Sequence, residues 1–224
     1  MPARGEQQGS ELVAGQPGCE QVRRLAGVMT TLRSECPWDA EQTHRSLATY
    51  LVEETGEVLD AIESGDDTDL REELGDLLLQ VVFHCEIAAR EQRFDLDDVA
   101  GDIADKLVRR HPYVYGAGEV PEDLMGSWEA RKRAEKGRSS SLQGIADHLS
   151  ALARAAKVTS RVRNHGVAVE MAADPITADE VGARVLELVQ RAQASGIDAD
   201  QATREALRGF EAQVRAAEQA SGAG

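Results

Sequence analysis

Apolar residues recur at helical spacing along most of the chain. Val22, Leu25, Val28, Met29 and Leu32 predict a first amphipathic helix from Glu20. It stops at Cys36-Pro37-Trp38-Asp39, because proline disfavours helix in the residue before it. A second helix is expected over Leu47 to Ile62, with Leu47, Leu51, Val58 and Ile62 on one face. A third is expected over Leu70 to Ile87, with Leu70, Leu74, Leu77 and Val81 on another. Between them Glu63-Ser64-Gly65-Asp66-Asp67 reads as the turn of an antiparallel helix hairpin. After a serine-rich link at Ser139 to Ser141 the pattern resumes through Leu149, Leu152 and Val158. It continues over Val181 to Val189 and over Ala202 to Val214.

The hairpin carries a second pattern, of acids. Glu53, Glu54 and Glu57 form E-E-x-x-E, and fifteen residues later Glu73 and Asp76 form E-x-x-D. Positions three apart on a helix are neighbours, so Glu54 pairs with Glu57 and Glu73 with Asp76. Glu54 falls within the seam Leu47, Leu51, Val58, Ala61, and Asp76 precedes the run Leu77 to Phe83, which is apolar almost all round. Both are therefore expected to be buried. Carboxylates converging in a low-dielectric interior repel unless they take up protons or a cation neutralises them. With oxygen ligands alone, and no His or Cys at matching spacing, a hard ion such as Mg²⁺ or Mn²⁺ is favoured over zinc.

Composition narrows the partners. The 224-residue chain is rich in Ala, Leu, Val and Glu and poor in aromatics, and has a formal charge of -15. That charge argues against sequence-independent nucleic-acid binding and against anionic membranes, but leaves small polyanionic substrates open. Three cysteines without metal spacing (Cys19, Cys36, Cys85), no apolar leader and no stretch of spanning length indicate a reduced cytoplasmic protein. Residues 1 to 19, rich in Gly, Gln and Pro, read as a disordered leader.

Cations and rings complete the candidate chemistry. Lys106 and Arg110 are four apart, so one helical face offers both to a single polyphosphate; their bland reading is a basic last turn complementing the helix dipole. Trp38, in a loop beside the acids, either stacks on a nucleobase or plugs the bundle end. His44 reads as a packing or hydrogen-bonding residue, and His84 and Cys85 as core. The basic run from Arg131 to Arg138 reads as a solvated helix end.

Five motifs in order resemble MazG-type nucleoside triphosphate pyrophosphohydrolases. They are Cys36-Pro37-Trp38-Asp39 with Glu41-Gln42-Thr43-His44, Leu51-Val52-Glu53-Glu54 with Glu57, Glu72-Glu73-Leu74-Gly75-Asp76-Leu77-Leu78, Asp105 to Pro112 with Val114-Tyr115-Gly116, and Trp128-Glu129-Ala130-Arg131-Lys132. The similarity covers roughly residues 22 to 136. It implies an all-α helical bundle that dimerises and hydrolyses (deoxy)nucleoside triphosphates to the monophosphate and pyrophosphate with Mg²⁺. Glu54, Glu57, Glu73 and Asp76 would hold the metal, and Glu53 would hold or activate water. Lys106, Arg109, Arg110 and Lys132 would contact phosphates, with Trp128 beside the site. The residue chemistry alone equally fits a related helical hydrolase of a single nucleotide, or a non-catalytic nucleotide-binding regulatory module. A di-iron bundle would want Glu-x-x-His, which neither acidic helix has.

The catalytic domain is expected over residues 20–138, followed by a degenerate helical repeat over 139–224. Glu73-Leu74-Gly75-Asp76-Leu77-Leu78 aligns with Glu180-Val181-Gly182-Ala183-Arg184-Val185, which replaces the second acid by Ala183. In the same register Lys106, Arg109 and Arg110 correspond to Gly209, Ala212 and Gln213. Ala172-Ala173-Asp174-Pro175 stands where a complete copy would need E-E-x-x-E, so a second active centre is not expected. The remaining apolar skeleton suits scaffolding or dimer packing.

Overall fold

The computed structural model describes residues 19–137 and 139–222, and among these there are helices and connections but no strand. The expected all-α class is therefore observed. The predicted leader lies outside the described residues except for Cys19, which already belongs to α1. The chain divides into two compact units after Val120.

The first unit contains α1 (Cys19–Glu35), α2 (Pro37–Glu41), α3 (Ala48–Ser64), α4 (Asp67–Arg90), α5 (Leu96–Arg110) and α6 (Pro112–Tyr115). Pro37 ends α1 and also opens α2, where its missing N–H costs nothing at a first helical position. The α3–α4 hairpin is built by local chemistry. Gly65 takes φ 73°, a left-handed cap that favours glycine, and its N–H reaches the Ala61 carbonyl. Asp66 then accepts from the N–H groups of Thr68 and Asp69 at 2.7 and 3.3 Å, capping α4. Asp95 and Asp98 cap α5 reciprocally, at 2.9 and 3.0 Å.

The core of this unit is Met29, Leu47, Val82, Phe83 and Ile87, with Leu25, Ala26, Leu79 and Leu96 packed around it. Each such side chain contributes about 1.5–3 kcal/mol on burial. Polar bonds hold α1 against α4. Arg90 donates to the Thr30 carbonyl and to Ser34 Oγ at 3.0 and 2.7 Å, and the Thr30 hydroxyl donates to Glu86 at 2.9 Å. Arg33 donates to the carbonyls of Asp39 and Gln42 and lies over the Phe83 ring, tying α2 to the same core.

One expectation is corrected here. The run from Leu77 to Phe83 is not covered all round: Leu78 and Val81 are open, as are Leu51, Ile62 and Leu74 on the predicted core faces. Burial on α4 concentrates in its C-terminal half, at Val82, Phe83, Cys85, Ile87 and Ala88. There Met29 and Leu47 share the cluster with Val82, Phe83 and Ile87, whereas among the described residues none of α1 joins a cluster with the N-terminal half.

The second unit holds α7 (Leu124–Lys136), α8 (Ala151–Asn164), α9 (Ala178–Ala194) and α10 (Ala199–Gly222). Val158 and Val162 of α8 pack with Leu207 and Val214 of α10 and with Ile145. Buried Arg161 donates to the carbonyls of Ser141 and Gln143 at 3.2 and 2.7 Å, and Glu218 accepts from the Ser141 N–H at 2.7 Å, fixing the link. Residues 172–175 are non-helical, and α9 buries no residue.

Candidate metal centre

The antiparallel pairing of α3 and α4 brings the two acidic motifs together. Carboxylate oxygens of Glu54, Glu57 and Glu73 lie within 4.8 Å of one another, and among the described residues no other His, Cys, Asp and Glu side chains form such a group. Glu54 and Glu73 are half-buried and Glu57 is exposed. Asp76, three residues after Glu73 on the same face, lies outside this group, yet its charge acts on both Glu54 and Glu73. It is half-buried rather than buried, as the thin cover over that part of α4 dictates.

The acids of the group act on one another electrostatically. Desolvation raises the Glu54 pKa, and Asp76 and Glu57 raise it further. Glu73 is raised in the same way, first by desolvation and then by Glu57, Asp76, Glu72 and Asp69. A hydrogen bond from Gln80 opposes the shift at Glu54: Gln80 Nε2 donates to Glu54 Oε1 at 3.5 Å. An all-oxygen set whose members hinder one another's ionisation fits a hard divalent cation, which would relieve the repulsion.

Gln80 was not singled out by the sequence reading, although a signal existed. It is a polar residue inside an apolar run, seven positions after Glu73 and four after Asp76, hence on the same helical stripe. Eleven positions after Glu73 the stripe reaches His84, whose Nδ1 is 2.7 Å from His44 Nδ1. The hydrogen-bonding role expected of His44 is thus realised with a partner forty residues away.

The other candidates are placed as follows. Glu53 is exposed on α3 beside Glu54. Trp38 is half open and meets Tyr50 and Phe83 edge-on, with ring centroids 6.0 and 6.4 Å apart. On α5, Lys106 is half-buried, Arg109 exposed and Arg110 only 6% exposed. Trp128 and Lys132, both half-buried, lie on α7 and so belong to the second unit.

Known proteins resemble this chain over the segment that carries these acids. The family described as the MazG nucleotide pyrophosphohydrolase domain matches residues 42–115, a span that contains all the acids above. An uncharacterized 26.1 kDa protein from the blaB 3' region of Streptomyces cacaoi is 45% identical over 196 residues, covering 85% of this chain and 80% of that one. The chain belongs to the MazG family. The nucleoside triphosphate pyrophosphohydrolase of Escherichia coli is 47% identical over 154 residues, covering 65% of this chain and 59% of the relative. That of Mycobacterium tuberculosis is 40% identical over 218 residues, covering 95% and 63%. This MazG chain therefore spans less than two thirds of either pyrophosphohydrolase. The matched MazG domain ends at Tyr115, close to the unit boundary and before Trp128 and Lys132.

Proposed function

We propose that the chain hydrolyses (deoxy)nucleoside triphosphates to the monophosphate and pyrophosphate with Mg²⁺, Mn²⁺ serving as a substitute, and that it clears unwanted nucleotides from the pool. The observation that carries this reading is the convergence of Glu54, Glu57 and Glu73 within 4.8 Å, with Asp76 close enough to act on two of them. The pyrophosphohydrolase names of its relatives supply the reaction class.

Glu54, Glu57, Glu73 and Asp76 would hold the ion. Bound there, Mg²⁺ supplies charge neutralisation to the phosphates and lowers the pKa of a coordinated water. Glu53, exposed beside the group, is suited to accept a proton from the attacking water. Lys106, Arg109 and Arg110 offer cations to the triphosphate, so that in-line attack at the α-phosphorus expels pyrophosphate. Trp38 offers an open ring face to the base, and stacking of this kind tolerates every base.

A homodimer is part of the proposal. Val52, Leu59 and Ile62 line one side of α3, and Leu74, Leu78 and Val81 one side of α4; their exposure, from 38% to 73%, is unusual for a monomer surface and suits a second copy. The acidic balance disfavours nucleic acid as a partner. No described helix is long and apolar enough to cross a membrane. Action in the cytoplasm is inferred from the reduced cysteines and the nucleotide substrate; Cys36 and Cys85 are free.

The test is product analysis of the purified protein with each of the eight (deoxy)nucleoside triphosphates and Mg²⁺, beside Glu54→Gln and Asp76→Asn. Monophosphate and pyrophosphate from the parent, lost in both variants, is the expected result. Nucleotide binding without turnover by a folded, metal-loaded parent would favour a regulatory module instead.

A further inference from the structure

A buried amide lies against the acidic group and is only half satisfied. Gln80 is 5% exposed; its Nε2 donates to Glu54 Oε1, while its Oε1 is buried with no hydrogen-bond partner among the described residues. The orientation of the amide follows from chemistry, because a carboxylate can only accept and so must face the N–H side. An orphaned buried acceptor is unfavourable, and leucine or methionine would fill the same volume without it.

The placement shows what the amide can do. Glu73, Asp76, Gln80 and His84 form one stripe on α4, and it meets Glu57, Glu54 and His44 in antiparallel order: 57 with 73, 54 with 80, 44 with 84. Gln80 is therefore the boundary between a group that repels itself and a pair of rings that bond each other. Its N–H engages one oxygen of Glu54 and restrains the rotation of that carboxylate. Its carbonyl oxygen stays available to a donor that the described residues do not provide. Hard divalent ions keep several waters when bound by carboxylates, and such waters are strong donors.

We propose that Gln80 is a positioning residue of the metal centre: it holds Glu54 in its liganding orientation through Nε2, and its Oε1 accepts from a water carried by the cation. This rests on the reading of the acids as a metal site. Outer groups that orient ligands typically alter metal affinity by about 10–100-fold when removed. A residue that merely joined two helices would instead change the stability of the metal-free protein.

The experiment measures Mn²⁺ binding without nucleotide, by calorimetry or by the electron paramagnetic signal of free Mn²⁺, for the full chain and for Gln80→Met and Gln80→Leu. Thermal unfolding of each metal-free protein is recorded alongside. The expected result is Mn²⁺ affinity about 10–100-fold weaker in both variants. Their unfolding temperature without metal should be no lower than that of the parent, and hydrolysis should recover as Mn²⁺ is raised. Parent-like Mn²⁺ affinity in either folded variant overturns the role of Gln80 and leaves the metal site standing. Absence of Mn²⁺ binding by the parent overturns the site and this proposal together. Should Gln80→Met not fold, Gln80→Leu decides; misfolding of both marks the residue as structural and overturns the proposal.

Discussion

His44 and His84 face each other nearly in parallel, 10° apart in plane and 5.0 Å between centroids, with their Nδ1 atoms 2.7 Å apart. Arg93 sits 2.6 Å from His44 Nε2 and can only donate. His44 must therefore accept at Nε2 and donate from Nδ1 to His84, whose own proton is on Nε2.

Stability should consequently fall on mild acidification. Burial, and then the neighbouring His44, lower the His84 pKa from 6.5. Well above pH 6.5 neither the folded nor the unfolded chain protonates it, and the stability is complete. Below that value the unfolded chain takes up a proton that the folded chain refuses, until the lower folded pKa is reached. Urea midpoints measured between pH 7.5 and 5.5 should decline in the parent and decline less in His84→Gln. Equal slopes would show that the ring does not titrate differently on folding.

Removing one acid should stabilise the metal-free protein while disabling it. Glu54 and Glu73 are both raised by desolvation and by neighbouring carboxylates, so Glu57→Gln relieves part of that strain. Its unfolding temperature without metal is expected to exceed that of the parent. Its stabilisation by added Mg²⁺ should be lost, and its turnover should fall by about 100-fold or more. A parent-like gain in stability with Mg²⁺ would place the ion elsewhere. Glu53→Gln, by contrast, is expected to keep the metal response and lose turnover.

Trp38 should contribute to both substrate affinity and packing. Its ring rests edge-on against Tyr50 and Phe83 and leaves about half its surface open. Base stacking of this type is worth about 1–3 kcal/mol, so Trp38→Ala should raise KM for every nucleotide by roughly tenfold or more. Trp38→Phe should retain most of the affinity. A lower unfolding temperature with unchanged KM would assign the ring to packing alone.

In the second unit Glu211, 4% exposed, bridges Arg154 at 2.9 Å and Arg215 at 3.1 Å, and Arg154 also reaches Asp147 at 3.0 Å. Glu211→Ala leaves the largely buried Arg154 without its closest counter-charge and should cost about 3 kcal/mol in a denaturant titration. If this unit is a scaffold, kcat of the protein that remains folded should be unchanged. A fall in kcat with unchanged stability would give the unit a part in the reaction.

Periodicity and turn chemistry determined much of this molecule without tertiary information. Helical spacing defined the long elements, Gly65 and Asp66 fixed the hairpin, and i, i+3 acids on its two arms had to approach because the turn is short. Those are local rules, set by the 3.6-residue repeat and by backbone geometry. Tertiary packing decided the rest. Which acids meet within 4.8 Å and which stands outside depends on the rotation of α3 against α4, a quantity that apolar spacing leaves undefined. Asp76 and the run after it were expected to be buried, but burial depends on whether another helix reaches that turn, and among the described residues the core cluster that α1 joins involves the C-terminal half of α4. The bond between His44 and His84, forty residues apart, and the half-satisfied amide of Gln80 follow from side-chain register across an interface. A single chain read in order carries the faces of its helices, whereas the pairing of one face with another is settled only by packing them.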